Sequence, residues 1–179
     1  EDGRVPLSLW RAAGEAGPAA APLVRLAAEA ESALDADARL ATSLTRAGNV
    51  LLPAVFTLGQ PAGPAGVDTP LPDYLLRSTL PVPGQSASAE RHPSPAGLPA
   101  LRGQYPLPAL GQAALGVGHL NLLPDADGVA RSDPLLLRMD DRAVPSLALL
   151  AAAASLRLPA SALHAGPGPA VEMGAMRVP

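Results

Sequence analysis

The 179-residue chain contains no cysteine, no lysine and no isoleucine, and aromatic side chains make up only 2% of it. The absence of cysteine excludes disulfides, thiolate nucleophiles, iron–sulfur clusters and thiolate zinc sites together, and it fits an oxidising or a reducing compartment equally. The absence of lysine excludes a phosphate-binding loop of the Gly-x-x-x-x-Gly-Lys type. All 13 basic residues are therefore arginine, scattered along the sequence, and the net charge is −3. Nucleic-acid binding needs a basic stripe to exchange for phosphate counterions, and a polybasic membrane patch needs similar clustering. Neither is encoded. The longest apolar run, Leu147 to Leu156, falls well short of the roughly 20 residues that cross a bilayer. Scarce Lys, Ile, Asn, Phe and Tyr beside plentiful Ala, Gly, Pro and Arg read as a GC-rich coding bias, with little chemical content.

What is present supports one globular domain. Apolar residues make up 48% of the chain and charged residues 16%, enough to build a core. The 22 prolines and 17 glycines bring it close to the low-complexity range of about 25–30%. The pattern predicts an α/β fold: a mixed sheet with packed helices, an Asp–Gly β-hairpin and a long proline-rich loop.

Along the chain, residues 1–18 read as irregular, with Trp10 as an anchor. Pro22 to Ala47 reads as helix in two pieces, with Asp35 or Asp37 capping the second. In that second piece Ala36, Leu40, Leu44 and Ala47 share a face, and Gly48–Asn49 is the stop. Val50–Phe56 reads as a strand buried on both faces, with Pro53 as a point of tension. A helix running straight into it predicts parallel pairing with an earlier strand. The stretch 57–112 holds half of the prolines and reads as loop, with a short helix near Pro72–Ser78 and no regular sheet. Order returns at Gly116. Alternation predicts a strand with Val117, His119 and Asn121 on one face and Leu120 and Leu122 towards the core. Asp125, Asp127 and Gly128 form a turn, Asp140-Asp141-Arg142 a second one, and a helix starts near Pro145–Ser146. A final strand spans Val171 to Val178.

The chain has three histidines, at His92, His119 and His164, without metal-ligand spacing, so no metal and no cofactor are expected. No nucleophile-elbow pattern is present, and no catalytic residue is assigned. Asp125-Ala126-Asp127-Gly128 fails as a calcium loop: Leu123 would take the first ligand position and Pro134 the glutamate position. It suits a hairpin turn, in which Asp–Gly supplies positive φ angles. Arg131 follows closely enough to reach back to Asp125 or Asp127. Two readings of Gly118–Arg131 stay open: a scaffold, or a polar cluster of His119, Asn121 and Arg131 that grips an anionic ligand.

Three stretches, taken together, resemble the type-2 CHASE domain, the cyclase/histidine-kinase-associated sensory extracellular domain. They are Ala33–Phe56, with Asp37–Ala41 before Gly48–Pro53; Leu115–Leu150, with Gly118–Asn121, Asp125–Arg131 and Pro145–Leu149; and the closing Leu163–Pro179. The resemblance implies the extracytoplasmic input module of a bacterial transmembrane receptor with a cyclase, histidine kinase or Ser/Thr kinase output. It further implies a periplasmic or extracellular location, membrane attachment through helices of the parent protein outside this sequence, and a homodimer in the full receptor. The cue would be a small molecule or a mechanical signal. The family's opening strand–helix–strand unit and closing Gly-Lys-x-Val strand are not matched, so the chain is expected to be the central portion of such a domain, with exposed sheet edges. The alternatives are a structural or interaction domain, or a hydrolase using His119 with Asp125 or Asp127.

Overall fold

The computed structural model describes residues 21–59, 70–82, 97–165 and 170–178. The irregular opening with Trp10, His92, and residues 60–69 and 83–96 of the proline-rich stretch lie outside these residues.

Helix α1 (Ala21–Leu34) leads into α2 (Ala36–Ala47) through Asp35. The Asp35 carboxylate accepts the N–H of Ala38, and the carboxylate of Asp37 and the guanidinium of Arg46 suit the two dipole ends. Gly48 closes α2 at φ 67, donating its N–H to the Leu44 carbonyl. The buried stripe differs from the expected one. Of Ala36, Leu40, Leu44 and Ala47 only Leu44 is buried, because α2 packs against helix α4 (Pro108–Ala113) and leaves the rest of the stripe in solvent.

Strand β1 (Leu51–Leu58) sits inside a six-stranded mixed sheet of order β2-β8-β7-β3-β1-β4. The other strands are β2 (Leu80–Pro81), β3 (Leu98–Gln104), β4 (Gly116–His119), β7 (Leu136–Met139) and β8 (Arg142–Pro145). β1 pairs parallel with β4, which follows it in the chain rather than preceding it, and antiparallel with β3. β1 is also not buried on both faces: Ala54 and Phe56 point into the core while Pro53, Val55 and Thr57 stay exposed. Pro53 fits for a local reason. The carbonyls of Val50 and Ala54 accept from the β4 segment, so alternation turns residue 53 to the other side, where pairing with β3 begins only at Val55.

The reading of 57–112 as loop does not hold for its described part. Helix α3 (Asp73–Leu76) is the short helix expected there, but the stretch also carries the end of β1, β2, the central strand β3, and α4. Four of its described prolines stand where a missing N–H matters least. Pro72 precedes α3 and Pro108 opens α4, while Pro81 lies in a two-residue edge strand. Pro99 accepts from the Gly59 N–H at the very end of the β1–β3 ladder. Proline here marks the ends of elements.

Successive residues of β7 and β8 point to opposite sides and define two cores. Leu136 and Ala143 join Leu149, Leu150 and Ala153 of helix α5 (Leu147–Ser155), with Leu163, Val171 and Met173. The last three come from a small antiparallel sheet of β9 (Leu163–Ala165), β10 (Val171–Met173) and β11 (Met176–Val178), so the closing stretch is a hairpin rather than one strand. Leu137, Met139 and Val144 join Ala54, Phe56, Ala100, Val117, Tyr74 and Leu75 on the other face. Arg77 pins α4 from outside, its Nη2 lying 2.6 Å from the Gly111 carbonyl and 2.8 Å from that of Ala114.

The sheet bends back on itself at β4. Residue Ser146, just past β8, forms a parallel bridge with His119, and α5 starts there, its N-cap Ser146 accepting the N–H of Leu149. Such close passage requires glycine at 118, where an added Cβ would stand 2.9 Å from the backbone N and Cα of Leu147. Gly118→Ala is therefore expected to cost about 1–3 kcal/mol through overpacking. Chemical denaturation checks this, with Leu122→Ala, at an exposed position outside the sheet, as the comparison.

Candidate functional site

The stretch from β4 to β6 holds every residue singled out from the sequence. Strand β4 is buried at all four positions and ends at His119. The chain then leaves the sheet, so the predicted alternation stops: Leu120 is 53% and Leu122 60% exposed, and neither faces the core. A four-residue strand covered on both faces has no solvent side to alternate with.

His119 is 1% exposed. Its Nδ1 accepts the backbone N–H of Asn121 at 3.4 Å, which favours the ring hydrogen on Nε2, a buried atom with no hydrogen-bond partner among the described residues. Burial pushes the imidazole down from 6.5 to about 4, partly opposed by the Asp133 carboxylate and the carbonyls of Leu135 and Pro134. The ring is neutral near pH 7.

Asn121 acts as a clamp on β1. Its Oδ1 accepts the Phe56 N–H at 2.9 Å and its Nδ2 donates to the Phe56 carbonyl at 2.6 Å. The side-chain amide thus continues the β4 side of the ladder after the backbone has turned away. Nothing in the local pattern announces this role, since it depends on β1, 65 residues away.

Beyond Asn121, strands β5 (Leu123–Pro124) and β6 (Ala130–Ser132) pair antiparallel around the Asp–Gly turn. The turn closes through Gly128 N–H to the Asp125 carbonyl and Asp125 N–H to the Val129 carbonyl, with Gly128 at φ 82. The Asp127 carboxylate also accepts the N–H of Val129. Arg131 reaches back to both acids, 2.7 Å from Asp125 Oδ2 and 2.7 Å from Asp127 Oδ2. The hydrogen bond from Arg131 and that from Val129 hold the Asp127 carboxyl below its ordinary value, and the two acids raise Arg131. All three side chains are about half exposed, so solvent screens the pairing.

The structure therefore brings His119 and Asn121 together, while Arg131 is committed to Asp125 and Asp127. Both acids of the hydrolase alternative are bound to Arg131, and the carboxylate acting on His119 is Asp133. Ser78 and Asp133 escape the sequence reading. Ser78 is buried and accepts the Val117 N–H. Its only local signal was a polar residue directly after a short helix. Among the described residues no group of three or more His, Asp or Glu is placed to hold a metal.

A family model described as the CHASE2 domain matches residues 9–178, running through the proline-rich stretch as well as the flanking ones. The chain belongs to the CHASE2 family, a family of extracellular sensory domains found in signalling receptors. Searches among curated proteins and among solved structures give no match.

The geometry ranks three substitutions. Asn121→Ala strips partners from a part-buried N–H and C=O and should cost about 1–3 kcal/mol. Gly128→Val meets no neighbour but strains a positive φ, for a cost of about 1–3 kcal/mol. Arg131→Ala should leave the melting temperature nearly unchanged, and thermal unfolding of the three variants side by side gives the order.

Proposed function

We propose that this chain is the extracytoplasmic input domain of a bacterial transmembrane signalling receptor whose output is a cyclase, a histidine kinase or a Ser/Thr kinase. The family match over residues 9–178 carries this reading. A sensor of this kind requires two conformations that a cue distinguishes, so that binding or force shifts their balance across the membrane. It requires no chemistry of its own, and we infer that the domain is not catalytic. His119 supports that inference: its Nδ1 accepts a backbone N–H, its ring is enclosed, and the hydroxyl of its neighbour Ser146 is engaged in capping α5 by accepting the Leu149 N–H. The domain would act within a homodimer of the receptor, respond to a small molecule or a mechanical signal, and bind no nucleic acid. No helix among the described residues is long and apolar enough to cross a membrane, so the reading places the spanning segments elsewhere in the receptor.

Because the chain has no cysteine, one introduced thiol reports its side of the membrane. Leu122→Cys, at an exposed position, is expected to react with a membrane-impermeant maleimide in intact cells that carry the parent protein. Labelling of this variant only after lysis would refute the extracytoplasmic placement.

A further inference from the structure

We propose that His119 is a proton-operated latch: a second proton, taken up at Nδ1, breaks the bond to Asn121 and releases the β5–β6 hairpin from the end of β1. The ring's two nitrogens play different parts. Nδ1 accepts the Asn121 N–H, so the neutral ring carries its hydrogen on Nε2. The one position left for an added proton is Nδ1. There it would face a donor with a donor, and Asn121 would have to withdraw.

That withdrawal has a definite consequence. Asn121 is the residue whose side chain holds both backbone groups of Phe56, and the chain runs from it directly into β5. The hairpin itself is built to survive the move as a unit. Its turn bonds, the Asp125–Arg131 and Asp127–Arg131 pairs and the β5–β6 ladder all lie within residues 123–132.

The surroundings supply the counter-charge. Asp133 and the carbonyls of Pro134 and Leu135 favour the protonated ring. Other charges near it are few. β1 and α5 carry no titratable side chain, and neither does β4 apart from His119. α3 offers an exposed Asp73 and Tyr74, whose hydroxyl donates to the Pro106 carbonyl, and β8 offers Arg142 at its far end. Burial therefore sets the resting state and Asp133 sets how readily it yields. With a ring held at about 4 in place and near 6.5 once released, the open-to-closed ratio rises about 80-fold as the pH falls from 6.5 to 4, towards a full-titration limit of about 300-fold.

The latch rests on the receptor reading only in making the proton a cue; its opening is a property of this chain and is measured on it alone. Amide hydrogen exchange of the full 179-residue chain, corrected for intrinsic rates, follows the Phe56, Asn121 and Leu149 amides from pH 7 to pH 4. Opening at Phe56 and Asn121 should increase by one to two orders of magnitude or more while Leu149, bonded to Ser146, keeps its protection. His119→Gln should remove the acid-dependent part. Asp133→Asn, at an exposed position, should let opening go on rising below pH 4. Opening of Leu149 in step with Phe56 would mean global unfolding and would overturn the latch. So would a pH response unchanged in both variants. A chain that opens this way inside a receptor whose output ignores pH would leave the latch standing and refute its use as an acid signal.

Discussion

A strand at the edge of a sheet that is nevertheless buried has one row of backbone groups with no strand to bond and no water to reach. β4 is that strand, and the surrounding structure is arranged to answer it. On one side it has β1. On the other, the buried Ser78 hydroxyl accepts the N–H of Val117, and Ser146 bridges His119 where α5 begins. Asn121 continues the β1 side with its amide. Three polar side chains thus bond three backbone amides, those of Val117, Leu149 and Phe56, around one short strand.

Close approach is the other requirement, and glycine meets it at two points. Gly118 lets α5 begin against β4, and Gly111 lets α4 lie on the Tyr74 ring, where a Cβ would come within 2.5 Å of the aromatic carbons. The Phe56 and Tyr105 rings then meet edge-on at 5.8 Å in the same core. The hairpin beyond Asn121 stands outside this framework, with Val129 and its ion pairs exposed. The result is a firm sheet with a self-contained appendage attached through Asn121. That contrast in local stability is what a two-state sensor needs.

The parts legible in the sequence were those fixed by local chemistry. Asp35 and Ser146 cap helices, Gly48 ends one, and Gly128 turns a hairpin, because each depends on its own φ angle or on an N–H three residues ahead. Arg131 with Asp125 and Asp127 was legible for the same reason. Burial was not. The faces assigned to Leu120 and Leu122 failed because alternation presumes a strand long enough to continue, and β4 ends at His119. β3 was hidden by Pro99 and by the proline-rich sequence around it, because whether a proline is tolerated depends on which neighbour its nitrogen faces. Ser78, Asn121 and Asp133 act on partners distant in sequence or acquire meaning only once His119 is buried, so no spacing rule exposes them.

The central claim is that β4 and its three side-chain bonds form the most stable part of the fold. Native-state hydrogen exchange at pH 7 tests it directly, through the amides of Val117, Phe56 and Leu149. The account predicts that Val117 and Leu149 exchange only through global unfolding, with Phe56 close behind and all three far slower than Gly128 and Asp125 in the hairpin turn. Exchange of Val117 as fast as that of the hairpin amides would contradict it.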